Sequence, residues 1–150
     1  NILAEHIDLL ERRTAPTVLT PHPGEMGRLM GITAAEVQAD RTRAAEYFAQ
    51  YADVTLVLKG AGTIIAAPDG TRWRNPTGNC GMAKGGSGDV LAGMVVSFLA
   101  QGMSPPHAAA AAVYVHGLCG DRCAQASSLR GMLPTDMIAV LPKVLGCFEK

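Results

Sequence analysis

The sequence predicts a layered α/β domain on three observations. Short β-rich apolar runs recur through the first half, a glycine-turn hairpin signal lies near the middle, and helical patterns fill the remainder. The 150 residues suffice to bury one core. The strands are too few for a complete doubly wound sheet, so the sequence reads as part of a larger fold.

Each element has its own warrant. Residues 2–12 carry Ile2, Leu3, His6, Leu9 and Leu10 at helical spacing, and Thr17 to Thr20 reads as a short buried strand. Pro21-His22-Pro23-Gly24 breaks the chain, and Glu25 to Met30 has room for one or two helical turns. An amphipathic helix is expected from Thr33 or Ala34 to about Tyr51, with Val37, Ala44, Ala45 and Phe48 on one side. Val54 to Leu58 has the continuous apolar character of a strand covered on both faces. Thr63 to Ala67 and Thr71 to Arg74 flank Pro68-Asp69-Gly70, where glycine supplies a hairpin turn. Helices are expected at 90–101, 106–126 and 135–145.

Bulk properties exclude several function classes. The 13 Lys and Arg balance the 13 Asp and Glu, and basic residues form only short pairs such as Arg12-Arg13. That leaves no footprint for nucleic acid or an anionic membrane surface. No apolar stretch is long enough for a transmembrane helix, and no signal peptide is visible, so the expected compartment is cytoplasmic. The chain opens at Asn1 and runs straight into a helical pattern, as a piece of something longer would. Four cysteines remain: Cys80, Cys119, Cys123 and Cys147. Cys119 and Cys123 share helical register with His116, but C-x-x-C spacing and a fourth ligand are lacking. They read as buried thiols, and no metal site is assigned to the protein itself.

Chemistry concentrates between Asn75 and Gly93, in N-P-T-G-N-C-G-M-A-K-G-G-S-G-D-V-L-A-G. Gly85, Gly86, Ser87 and Gly88 precede one carboxylate, Asp89, and an apolar helical run follows. The first N–H groups of a helix lack intrahelical acceptors, and its dipole favours anions there. A glycine turn opening a helix is therefore a phosphate cradle in outline. Asp89 faces such an anion at an electrostatic cost, which a base acting on a substrate hydroxyl would explain. The plain alternative is an Asp that caps the helix. The wording matches neither the G-x-x-x-x-G-K-[ST] phosphate loop nor the G-x-G-x-x-G dinucleotide turn.

Three weaker signals accompany it. Lys59-Gly60-Ala61-Gly62-Thr63 leaves a buried strand and offers an ammonium and a hydroxyl to a phosphate, or is a plain turn with an exposed lysine. His22 stands between two prolines that stiffen it, directly after a strand, as a ligand contact or as solvated surface. Ala108 to Ala112, with His116, Gly117, Gly120 and Asp121, reads chiefly as a closely packed helix.

Together T-P-H-P-G-E-M-G-R-L (20–29), K-G-A-G-T (59–63), the 75–93 segment, H-G-x-x-G-D (116–121) and T-D-M-I-x-x-L-P (135–142) resemble the ADP- or ATP-dependent NAD(P)H-hydrate dehydratases. These belong to the ribokinase-like superfamily, whose layered α/β/α fold the resemblance implies, with this chain as the C-terminal portion of one domain. Asn1 would then close a D-A-D-A-L-N-like strand end. The implied reaction is metabolite repair: NADHX or NADPHX, the hydrated cofactors, are phosphorylated on the ring hydroxyl from ADP or ATP with Mg2+, and phosphate is eliminated. By position, Asp89 is the implied base and Gly85 to Gly88 the anion hole. Lys59, Gly60, Ala61, Gly62, Thr63 and Gly88 are implied to contact adenine nucleotide, and His22 and Asp89 the hydrated substrate. Asn79 is implied near phosphate or magnesium. A homo-oligomer, in the family a tetramer, is also implied. Two departures are Cys80, where Pro is frequent, and Lys84, where a small hydroxylated residue is usual; the extra cation is expected to help hold phosphate. A small-molecule kinase of the same superfamily and a non-catalytic adenylate-binding module remain as alternatives.

Overall fold

A computed structural model describes residues 2–149. The chain divides into two compact units, meeting in sequence between Arg74 and Asn75.

The first unit holds a four-stranded sheet in the order β1-β2-β3-β4, comprising Val18–Leu19, Thr55–Leu58, Ile64–Ala66 and Arg72–Arg74. β1 runs parallel to β2, and the other neighbours are antiparallel. Every residue of β2 and β3 is buried, as their unbroken apolar runs require. Gly70 closes the β3–β4 turn at φ +86°, a left-handed value that favours glycine. β1 is shorter than expected and only half-buried. Among the described residues it has one neighbour in the sheet, so a single ladder fixes it.

Two expected helices are interrupted. Residues 2–12 form α1, Ile2–Glu5, and a 3₁₀ turn, Ile7–Leu10, separated at His6. Leu10 is the only buried side chain among these two pieces, and so short a helix without a buried face is marginal. Arg13 ends the stretch by donating to the carbonyls of Leu10 at 2.5 Å and Ala52 at 2.9 Å. The expected 34–51 helix is α3, Ala34–Ala39, and α4, Arg41–Tyr51. Asp40 leaves helical geometry and accepts the Arg43 N–H at 3.0 Å, so a side-chain cap replaces helix continuation. Val37, Ala45 and Phe48 still reach one core with Met26, Leu56 and Leu58. Met26 comes from α2, Pro23–Met30, whose left-handed C-cap is Gly31.

The second unit packs three helices: α5, Ser87–Ala100; α6, Pro105–Ala126; and α7, Pro134–Leu145. α5 begins three residues earlier than its apolar pattern, because the glycine turn itself forms the first helical turn. None of the helices among the described residues is long and apolar enough to cross a membrane. α6 serves as a platform for the N-P-T-G-N loop. Asn75 Nδ2 donates to the Thr77 carbonyl at 2.9 Å, and Thr77 Oγ1 donates to the Tyr114 carbonyl at 2.9 Å. Asp121 accepts the Gly78 amide and Asn79 Nδ2, both at 2.9 Å. Gly117 and Gly120 make this docking possible: a Cβ on the first would overlap Thr77, and on the second Met82. Gly117→Ala is expected to cost roughly 1–3 kcal/mol by overpacking, read as a lower urea midpoint at unchanged slope.

Candidate active site

The α5 mouth is built without a side-chain cap. Its N-cap is Gly86 at φ +91°, and no side chain among the described residues bonds the first-turn amides. Asp89, the third helical residue, therefore does not cap. It is exposed, and its carboxylate has no hydrogen bond or ion pair among the described residues. Asp89 is one of the residues lining a cleft of about 430 Å³ between α5 and α7, with Val90, Gly93, Met94, Phe98 and Leu141.

The amides can be accounted for one by one. Ser87 N–H turns to the Lys84 carbonyl at 3.3 Å, and those of Asp89 and Val90 to the Gly86 carbonyl at 3.1 Å. Gly85, Gly86 and Gly88 N–H have no acceptor among the described residues. Ser87 was expected in the anion hole; its amide is directed inward, and its buried hydroxyl lacks a partner. A Cβ on Gly85 would meet nothing within 4 Å, so the turn is open at that residue, whereas one on Gly86 would lie 3.3 Å from Pro134 Cγ. Unbonded amides at the positive end of a 14-residue helix favour an anion.

Two neighbours act differently from expectation. Asn79 spends its side chain on structure: Oδ1 accepts the Gly81 amide at 3.0 Å and Nδ2 donates to Asp121. Lys84 Nζ donates to the carbonyls of Arg130 at 2.6 Å and Met132 at 2.5 Å, so its donors pin the α6–α7 loop rather than wait for phosphate. His116, Cys119 and Cys123 are buried on α6. Burial, with a smaller contribution from Cys123, pushes the Cys119 thiol up to about 11, so it stays neutral. No group of three His, Cys, Asp or Glu side chains placed to hold a metal occurs among the described residues.

In the first unit the structure brings His22, Glu25 and Lys59 together. His22 is the N-cap of α2, and its Nδ1 accepts the amides of Gly24 at 3.0 Å and Glu25 at 3.2 Å. That places the hydrogen of the neutral ring on Nε2, which faces Glu25 Oε1 at 3.5 Å. Glu25 completes the capping box by accepting the His22 amide at 2.7 Å, and its Oε2 lies 3.6 Å from Lys59 Nζ. Burial raises the Glu25 pKa, but the His22 amide and the Lys59 charge outweigh it, leaving the carboxyl below its ordinary value.

Lys59 to Thr63 forms the β2–β3 turn. The Thr63 hydroxyl, expected to reach a phosphate, donates to the Gly60 carbonyl at 3.0 Å. The amides of Gly60, Ala61 and Gly62 lack acceptors among the described residues. Sequence reasoning missed Arg41, whose guanidinium donates to the Ala61 carbonyl at 2.7 Å and the Leu58 carbonyl at 3.0 Å. No local pattern announces a residue 17 positions away in sequence, and only the α3–α4 break exposes it.

The profile of the NAD(P)H-hydrate dehydratase family matches residues 1–143. The chain belongs to that family. It is 47% identical over 150 residues to a bifunctional NAD(P)H-hydrate repair enzyme Nnr of Moorella thermoacetica, covering all of this chain and 28% of that protein. It is 42% identical to an ADP-dependent (S)-NAD(P)H-hydrate dehydratase of Bacillus subtilis, covering 92% of this chain and 50% of that enzyme. The chain thus spans half or less of these relatives. Among solved structures, the Bacillus subtilis ADP/ATP-dependent dehydratase co-crystallized with ATP/Mg2+ superimposes with TM-score 0.87 over 91% of this chain and 50% of that one. A ribokinase-like superfamily protein of Enterococcus faecalis, 33% identical, gives 0.79 over 96% of this chain and 51% of its own. The fold is ribokinase-like.

Two outcomes are expected. His22→Ala removes an acceptor from two amides and should lower stability by about 1 kcal/mol in urea unfolding, with His22→Asn restoring most of it. The lowered Glu25 pKa makes its contribution complete above the ordinary value of 4.5 and lost as pH falls through the folded-state value. Glu25→Gln should therefore flatten the fall of the melting temperature between neutral pH and the acid range.

Proposed function

We propose that this chain contributes to nucleotide-dependent dehydration of hydrated NADH and NADPH, as the names of its relatives state for those enzymes. The observation that carries the reading is the unpartnered Asp89 carboxylate beside the free amides of Gly85, Gly86 and Gly88. A structural carboxylate in a helix's first turn normally bonds an amide, and this one bonds none.

The roles follow from charge. Asp89 accepts the proton of the ring hydroxyl as its oxygen attacks the terminal phosphorus of ADP. The bond to the bridging oxygen breaks and AMP leaves. The glycine amides hold the charge gathering on the transferred phosphoryl oxygens. The ring's new carbon–oxygen ester bond then breaks, phosphate departs, the adjacent carbon loses a proton, and the double bond returns. Phosphate leaves far more readily than hydroxide, which is the reason for spending a nucleotide. Lys59 to Thr63 and Gly88 are assigned to the nucleotide, and His22 offers its Nε2–H to the hydrated substrate.

Magnesium, carried by the nucleotide, supplies neutralisation of phosphate charge. The ion's ligands would be waters and nucleotide phosphate oxygens rather than an all-protein cage, and the Asp89 carboxylate is kept for the hydroxyl proton.

Asp89→Asn, assayed in a protein of full family length carrying this sequence, should lower turnover roughly 10²–10⁴-fold while leaving ADP affinity nearly unchanged. Near-normal release of phosphate and return of reduced-nicotinamide absorbance would remove Asp89 as the base. Accumulation of a stable phosphorylated product in the unsubstituted protein would indicate a kinase instead.

A further inference from the structure

No side chain caps α5 from above, but α6 packs beneath its first turn, and α5 rests chiefly on that helix. Thiols apart, Ser87 and His116 are the polar side chains that α5 and α6 bury among the described residues, at 7% and 8% exposure. Ser87 Oγ and His116 Nε2 each lack a hydrogen-bond partner there. Apolar side chains of similar size would fill the same space without leaving polar atoms unpaired. The polar pair therefore calls for a reason beyond packing.

The two residues meet at the backbone. Burial lowers the His116 pKa, and a hydrogen-bonding contact with the Ser87 backbone opposes it. A backbone group that favours the protonated ring is a carbonyl oxygen, because an amide N–H would disfavour it. The buried ring is thus neutral and presents an N–H to the Ser87 carbonyl. That carbonyl and the Gly88 N–H belong to one planar trans peptide and point in opposite directions. A donor on the carbonyl side fixes where the Gly88 N–H points and polarises it into a stronger donor. Glycine leaves that peptide with little steric restraint of its own. The ring, in turn, stands on a fixed base, since Gly117 and Gly120 lock the same stretch of α6 against Thr77 and Met82.

We propose that His116 is a positioning residue for the α5 mouth, holding the Ser87–Gly88 peptide so that the Gly88 N–H is aimed at the bound anion. The inference rests on the anion-hole reading above and adds to it a residue on another helix that touches no ligand. It acts through one peptide unit, as supporting groups behind a site do.

The test is NMR of the ¹³C,¹⁵N-labelled 150-residue chain, titrated with inorganic pyrophosphate. His116→Leu removes the ring N–H and fills much of its volume. It should move the Ser87 carbonyl ¹³C and the Gly88 amide ¹⁵N together. It should also weaken pyrophosphate binding at the Gly88 amide about fivefold with the melting temperature unchanged. Asn and Gln carry an amide N–H near the two ring-nitrogen positions, so either His116→Asn or His116→Gln should restore both signals and affinity. Unmoved Ser87 and Gly88 signals, unchanged affinity, or rescue by neither amide would make His116 an ordinary core residue and overturn the inference. If His116→Leu does not fold, a through-hydrogen-bond coupling between a His116 ring ¹⁵N and the Ser87 carbonyl ¹³C in the unsubstituted chain decides the matter, and its absence overturns the inference. Failure of the unsubstituted chain to bind pyrophosphate at Gly85, Gly86 or Gly88 would strip the proposed function of its anion hole, whereas the Ser87 and Gly88 signals report on His116 without any ligand.

Discussion

The constraint on which the rest depends is a helix that starts on glycine. At φ +91° Gly86 has a conformation that few other residues tolerate, and it brings no side chain to satisfy the amides that follow. Ser, Thr, Asp or Asn would ordinarily fill that position, and the α3 and α4 starts show what they do there: Thr33 and Asp40 each close on an amide of their own helix. α5 forgoes that bond. Its positive end stays open, and the carboxylate one turn in is left uncommitted.

Holding such a mouth open requires rigid support, and α6 provides it. Small residues at Gly117 and Gly120 let the N-P-T-G-N loop lie directly on the helix, while Asp121 grips the Gly78 amide and the Asn79 side chain. Lys84 then fastens the approach to α5 onto the carbonyls of Arg130 and Met132. Several residues that resemble ligand contacts on paper are thereby consumed in positioning the few that remain free. Polar groups that are already paired cannot also serve a ligand without a cost.

Much of this was legible in the sequence, for physical reasons that differ from element to element. The β2 run and the Gly70 hairpin were clear because burial on both faces and a left-handed turn leave strong marks in composition. The glycine turn before Asp89 was clear for the same reason. The breaks at His6 and Asp40 were not, since apolar spacing continues across both while capping and tertiary bonds decide the outcome. The direction of Lys84 and of Asn79 depended on partners 48 and 42 positions away, which no local pattern encodes. Arg41 escaped notice for the same cause.

The interruption between α3 and α4 has a consequence for tolerated changes in length. Arg41 stands immediately after the Asp40 break, as the first residue of α4, and from there it spans two carbonyls of a distant turn. A residue inserted just after Arg41, inside the first turn of α4, would swing its side chain by about 100° around the helix axis relative to the buried Ala44, Ala45 and Phe48. The register of this short corner is thus fixed by the geometry of a loop some twenty residues downstream. Insertions should be excluded there even though the corner itself lies at the surface.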